Sequence, residues 1–175
     1  MGRMARWLLQ TEHRLFYVFN HKMKHSIFDT IFSWITHMGG ATFTITAAIL
    51  IGLSGGDTWS SAGWQSLAAL AFSHIPVAVM KRAYPRRRPY LVLPEAHTCT
   101  KPLKDHSFPS GHSTAIFSVV TPLIAAVPGC GLFLLPLAGL VSLSRIYLGL
   151  HYPSDCAAGI TLGTCAGLGV VAMFA

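Results

Sequence analysis

Three short segments hold nearly all the chemistry this chain can offer. Lys81 is followed, after six intervening residues, by Arg88-Pro89; Pro109-Ser110-Gly111-His112 comes next; and Ser144-Arg145 precedes His151 and Asp155. Together they supply three cations, two histidines and a carboxylate. Histidine attacks phosphorus or moves a proton near neutral pH, a carboxylate fixes its tautomer, and lysine and arginine neutralise phosphate oxygens. Such an inventory suits phosphoryl transfer through a phosphohistidine.

Each residue also has a purely structural reading. Lys81, Arg82, Arg86, Arg87 and Arg88 could anchor a helix end at a membrane boundary. Against that, Pro85 and Pro89 stop the helix and hold Lys81 and Arg88 in place, and an arginine fork binds two phosphate oxygens at once. Ser110 can cap the helix that follows, with Gly111 relieving a tight turn. The same helix start presents free amides that make Ser110 and Gly111 natural phosphate contacts, with His112 one residue inside. Asp155 falls in the first turn of a helix opened by Pro153, where the dipole favours a carboxylate whatever its role. In the functional reading Asp155 accepts the proton-bearing nitrogen of His151, His151 attacks phosphorus, and His112 protonates the leaving oxygen. Lys81, Arg88 and Arg145 then neutralise the equatorial oxygens, so that no metal or other cofactor is required.

Arg145 is the most telling residue. It lies inside the apolar run 140–150, where a cation costs about 2.5–3.5 kcal/mol on insertion scales, and it is expected to have an anionic partner.

The elements that must position these groups are membrane helices. The 175 residues are 52% hydrophobic and only 11% charged, far below the roughly 25% charged of soluble domains. Five apolar stretches approach the roughly 20 residues a span requires: 27–53, 62–80, 113–127, 131–150 and 154–174. The first contains Asp29 and His37, and Gly39-Gly40 can break it. The expectation is an all-α integral membrane bundle of about five to six transmembrane helices, forming one domain over 1–175. The basic segment 1–25 is read as an N-terminal interfacial amphipathic helix and not as a signal peptide, because Glu12, His13 and Arg14 interrupt its apolar run. Counting helix ends brings the three segments, at Lys81, His112, Arg145 to His151 and Asp155, to one membrane face. Gly159, Gly163, Gly167 and Gly169 in the last helix provide for close backbone packing.

Thirteen Lys+Arg against six Asp+Glu give a formal charge of +7, which points to anionic partners. Lipid phosphates and membrane lipids fit. Nucleic acid does not, since no recognition helix, zinc finger or aromatic platform accompanies the charge. Four cysteines lack metal spacing and are too sparse for a disulfide framework. Cys99 and Cys156 are the pair that could join in an oxidising compartment, and are read as unpaired. His74 is read as a hydrogen-bonded packing histidine, and His97, Lys101, Lys104 and His106 as a solvated basic loop.

With these residues in view, the three segments resemble the signature motifs of the type 2 phosphatidic acid phosphatase family of membrane lipid phosphatases, matching without a substitution over 81–155. The resemblance implies that His151 is the nucleophile, Asp155 its orienting partner, His112 the general acid, and Lys81, Arg88, Ser110, Gly111 and Arg145 the phosphate site. It implies a plasma-membrane enzyme with its site on the extracytoplasmic face, whereas the positive-inside rule would draw the basic amino terminus and the 81–88 cluster inward. Among substrates, undecaprenyl diphosphate ranks first, as a compact chain resembles the bacterial enzymes that recycle that carrier; phosphatidylglycerophosphate or phosphatidate ranks second. The rival of a different class is a non-catalytic membrane protein that binds a lipid phosphate with the same cations.

Overall fold

The computed structural model describes residues 2–54, 56–98, 103 and 105–174. Among them every regular element is helical. The first, α1 (Arg3–Tyr17), runs into a π turn (Val18–Lys22). Phe16 and Asn20 of this segment point inward and are almost fully buried, while Met4, Trp7 and Leu15 face out. The amphipathic helix expected at the amino terminus therefore forms, and Phe16 packs its ring against Tyr152 at 5.8 Å.

Stretch 27–53 is two helices. α2 (Ser26–Ile35) and a tight turn (Thr36–Gly39) meet α3 (Ala41–Ser54) at a 55° bend. Gly39-Gly40 makes the break for a reason of space. A Cβ on Gly39 would lie 2.6 Å from Val141 Cγ1 and 3.0 Å from the Cβ of His112, so only glycine lets the bend rest on that histidine.

α4 (Asp57–Ala83) and the single turn α5 (Pro89–Val92) lead through a long loop to α6 (Gly111–Ala126). A tight turn (Pro128–Cys130), α7 (Gly131–Tyr147) and α8 (Pro153–Met173) complete the chain. α6 is the central helix, packed against α4, α7 and α8 and touched by α3. Its polar residues are spent on neighbours: Ser118 Oγ donates to Ser73 Oγ at 2.9 Å, and Ser66 Oγ of α4 donates to the Val119 carbonyl at 2.9 Å. Between apolar helices such bonds contribute where burial alone would not hold two surfaces together.

Length and composition single out α7 with its preceding turn (Pro128–Tyr147) and α8 as able to cross a membrane, and the bent α2–α3 pair as a third candidate. The expected five to six spans are not all of this kind. α4 has 27 residues but carries polar ones along its length, and the 16 residues of α6 reach only ~24 Å against a hydrocarbon core of ~30 Å. α7 stops at Tyr147, three residues short of the stretch expected to run to 150, while α8 starts at Pro153 as that proline led one to expect.

The glycine stripe of α8 explains the closeness of α6. A Cβ on Gly159 would sit 2.5 Å from the Ser110 carbonyl, on Gly163 2.4 Å from that of Thr114, and on Gly167 2.6 Å from Thr121 Cβ. Gly169 is not part of the stripe, as its Cβ would meet nothing within 4 Å. Gly163→Val is therefore expected to force the helices apart and cost about 1–3 kcal/mol or more, whereas Gly169→Val stays within about 0.5 kcal/mol. Thermal unfolding of the two variants in detergent, side by side, checks the difference.

Candidate active site

The turn from α7 to α8 sets the spacing of Arg145, His151 and Asp155. Leu150 N–H donates to the Arg145 carbonyl and Gly149 N–H to that of Ile146, both at 3.0 Å, which is a Schellman ending with Gly149 in the left-handed region at φ 74°. His151 N–H also reaches the Arg145 carbonyl, at 3.1 Å. A Cβ on Gly149 would strike the His97 carbonyl at 2.4 Å. That carbonyl is held by buried Asn20, whose Nδ2 donates to the carbonyls of His97 and Tyr147 at 2.7 Å each. Asp155 then falls at the third position of α8, where Oδ2 accepts the Tyr152 N–H at 2.8 Å. The capping reading of Asp155 is thus true as well.

Arg88 ties the segments together. It is 2% exposed, and its fork donates to Asp105 Oδ1 at 2.7 Å, to the Leu150 carbonyl at 2.8 Å and to His151 Nε2 at 3.2 Å. A guanidinium cannot accept, so Nε2 presents its lone pair and the His151 proton sits on Nδ1, toward Asp155. Lys81 Nζ binds the other oxygen of Asp105 at 2.5 Å and the His106 carbonyl at 2.9 Å. One carboxylate therefore bridges the two cations. Burial raises the Asp105 pKa, but the bonds and charges of Lys81 and Arg88 outweigh it and bring it down to about 2.

His151 lies in the turn, 2% exposed. Burial pulls its pKa down to about 4, with Asp155 working the other way and Arg145 and Arg88 adding to the fall. The ring is neutral at pH 7. Its Nδ1 is 3.7 Å from Asp155 Oδ2, beyond hydrogen-bond reach, and has no hydrogen-bond partner among the described residues. The bond predicted between them is an approach only, because Oδ1 of Asp155 is taken by Arg86 at 2.8 Å and Oδ2 by the backbone of Tyr152.

Among the described residues Arg145 has no carboxylate within ion-pair distance, so the anionic partner expected for it is not supplied by them. Its Nη1 donates to Thr36 Oγ1 at 2.6 Å, and its buried Nε has no partner among them. His112 opens α6 within electrostatic reach of Arg145, His151, His37 and Arg88. Ser110 caps α6, its Oγ accepting from Ser113 N–H at 3.4 Å and its own N–H reaching the Asp155 carbonyl at 3.0 Å. Gly111 relieves no tight turn, since Gly149 is the one positive-φ glycine among the described residues. A Cβ on Gly111 would meet open space.

Sequence reasoning passed over Asp105, Arg86, Glu12, Thr36 and Asn20. Scarcity was the available signal: of six acidic residues, Glu12, Asp105 and Asp155 all pair with cations from 81–88. His74 is exposed and bonds the Leu70 carbonyl at 2.9 Å. Cys156 is free and buried, while Cys99, Lys101 and Lys104 lie outside the described residues.

Because the Asp105 pKa is depressed, its contribution to stability is complete above the ordinary carboxylate value and is lost as pH falls through about 2. Asp105→Asn should melt below the parent by a constant margin from about pH 7 to about pH 5, the margin closing below about pH 4. Thermal scans across that range in detergent test it.

Residues 62–175 match the family model described as the PAP2 superfamily. Over 59% of this chain and 51% of the relative, the sequence is 32% identical to the bacitracin transport permease protein BcrC of Bacillus licheniformis. It is 35% identical, over 59% of this chain and 57% of the relative, to a decaprenylphosphoryl-5-phosphoribose phosphatase of Mycobacterium tuberculosis. The chain thus spans about half the length of these curated relatives. Among solved structures, LpxE of Aquifex aeolicus shares the fold at a TM-score of 0.83 and 23% identity, with 91% of this chain and 93% of that one covered. A match over this much of the chain, falling on the segments that converge around Arg88, means that the protein belongs to the PAP2 superfamily.

Proposed function

We propose that the whole chain is one membrane-embedded phosphatase that removes the terminal phosphate of undecaprenyl diphosphate through a phosphohistidine on His151, without a metal ion. The observation that carries this reading is Arg145, a buried guanidinium bonded to a neutral hydroxyl and left with an unpartnered Nε. A cation so placed is costly until an anion completes it. Arg88 and Lys81, facing the same region, favour a phosphate as that anion.

The lone pair of His151 Nε2 attacks phosphorus as the bond to the leaving oxygen breaks, and His112 supplies the proton that oxygen takes up. With Arg88 and Arg145 nearby, His112 holds that proton only when the phosphate brings its own negative charge. Water, deprotonated by His112, then attacks the phosphohistidine and releases inorganic phosphate. Lys81, Arg88, Arg145 and the amides at Ser110 and Gly111 neutralise the equatorial oxygens throughout. A lipid tail is supported by an apolar groove of about 560 Å3, walled by Gly40 near His112 and running along α3 past Phe43 and Thr46 to Leu50. A prenyl carrier is supported by the mycobacterial relative, named for a decaprenyl substrate. Placement at the plasma membrane with the site outside rests on family likeness.

One relative bears a transport name, which favours a second reading, lipid-phosphate binding without turnover. Phosphate release from undecaprenyl diphosphate, phosphatidylglycerophosphate and phosphatidate, measured in detergent with EDTA, separates the two. Release that survives the chelator, is fastest on the diphosphate and falls at least about 1,000-fold in His151→Ala supports the enzyme. Equal inactivity of parent and variant, with phosphatidate still bound, supports the binder. Activity should rise as pH increases through about 4, where His151 loses its proton, and fall again as His112 loses its own, giving a bell.

A further inference from the structure

The side chain that holds Asp155 Oδ1 belongs to a residue assigned to no step of the proposed reaction. Arg86 Nη1 donates to Asp155 Oδ1 at 2.8 Å and to Ser154 Oγ at 2.8 Å, while Nη2 donates to Glu12 Oε2 at 2.6 Å. The guanidinium lies 3.9 Å over the Tyr152 ring. Glu12 comes from α1, is only 11% exposed, and its other oxygen accepts from the Ser154 N–H and hydroxyl. With both carboxylates in its fork and its guanidinium over Tyr152, Arg86 is engaged by Asp155 and Glu12 while its side chain stays 28% exposed. Its two carboxylates hold it in opposite senses. One is the orienting partner of His151, the other a counter-charge delivered by the amino-terminal helix.

We propose that Arg86 is a positioning residue for Asp155, and that Glu12 sets how strongly Arg86 draws Asp155 away from His151. The inference rests on the reading of His151 as nucleophile. Asp155 stands between two partners: Arg86 holds Oδ1, and His151 Nδ1 waits 3.7 Å from Oδ2. A full positive charge on Arg86 weakens the field Asp155 exerts on the imidazole, and Glu12 offsets that charge. The other groups facing His151 are Arg88 ahead of α5, Arg145 on α7 and His112 on α6. None of these touches Glu12. α1 thereby becomes part of the active site's electrostatics although none of its atoms meets the substrate.

Two substitutions of opposite charge test this. Arg86→Gln removes a cation near His151, favours its protonated form and should move the acid limb of the activity profile up by about 0.5 pH unit or more. Glu12→Gln leaves Arg86 uncompensated and should move the limb down by a similar amount. In the double variant the limb returns toward the parent position. kcat in Arg86→Gln should fall about 10- to 100-fold with KM nearly unchanged, while Arg86→Lys, keeping the charge and losing the fork, restores the limb and not the full kcat. The profile is measured on undecaprenyl diphosphate in detergent from about pH 3 to about pH 9, with His151→Ala alongside and thermal unfolding recorded for each variant. Limbs that stay put, or that move the same way in both single variants, overturn the inference even where the unfolding temperature drops. If instead His151→Ala turns over like the parent, it is the reading of the nucleophile that fails.

Discussion

Everything at the polar end of this bundle depends on the burial of Arg88. A guanidinium that is 2% exposed has to be met by acceptors on nearly every side, and those acceptors come from parts of the chain far apart: Asp105 and His106 ahead of α6, Leu150 and His151 between α7 and α8. Satisfying one side chain therefore pulls three segments to a common point. Removing a partner would leave a buried charge exposed to an apolar interior, which costs far more than the bond itself is worth.

The same constraint accounts for the distribution of the few acids. With six acids for thirteen cations, three carboxylates close on cations of 81–88 while Asp57 and Glu95 stay exposed. Asp105 closes on Lys81 and Arg88, Glu12 and Asp155 close on Arg86, and Asp29 accepts from the Tyr147 hydroxyl at 2.7 Å. Arg145 is left with a threonine. The local imbalance is what makes the region receptive to an anion.

Packing supplies the frame. α6 can lie against α8 because three glycines of α8 offer no side chain where the carbonyls of Ser110 and Thr114 and the side chain of Thr121 pass. The bend at Gly39-Gly40 brings α3 against His112 for the same steric reason. Ser110 is bonded through its amide to Asp155, so the helix that carries His112 and the helix that carries Asp155 share one rigid contact.

Much of this was legible in the residues. Apolar runs marked the helices at 111–126, 131–147 and 153–173 to within a few positions, since a helix in lipid must satisfy its own backbone and shows it in composition. The residues of the three segments stood out because charges in such runs are rare and expensive. Local rules also foretold the Ser110 cap, the Pro153 start and Asp155 in the first turn. What composition could not show is pairing. That Arg86 bonds Asp155 and Glu12, that Asp105 bridges Lys81 and Arg88, that Arg145 meets no carboxylate among the described residues, and that Asn20 and Gly149 clamp the turn bearing His151 all depend on which side chains share a volume. Sequence separations of 17 to 127 residues carry no record of that. The chain by itself determined which groups are present and which helix ends they occupy, because those follow from local hydrophobicity and capping; tertiary structure alone decided which charge faces which, because a buried ion takes the nearest counter-charge that folding delivers.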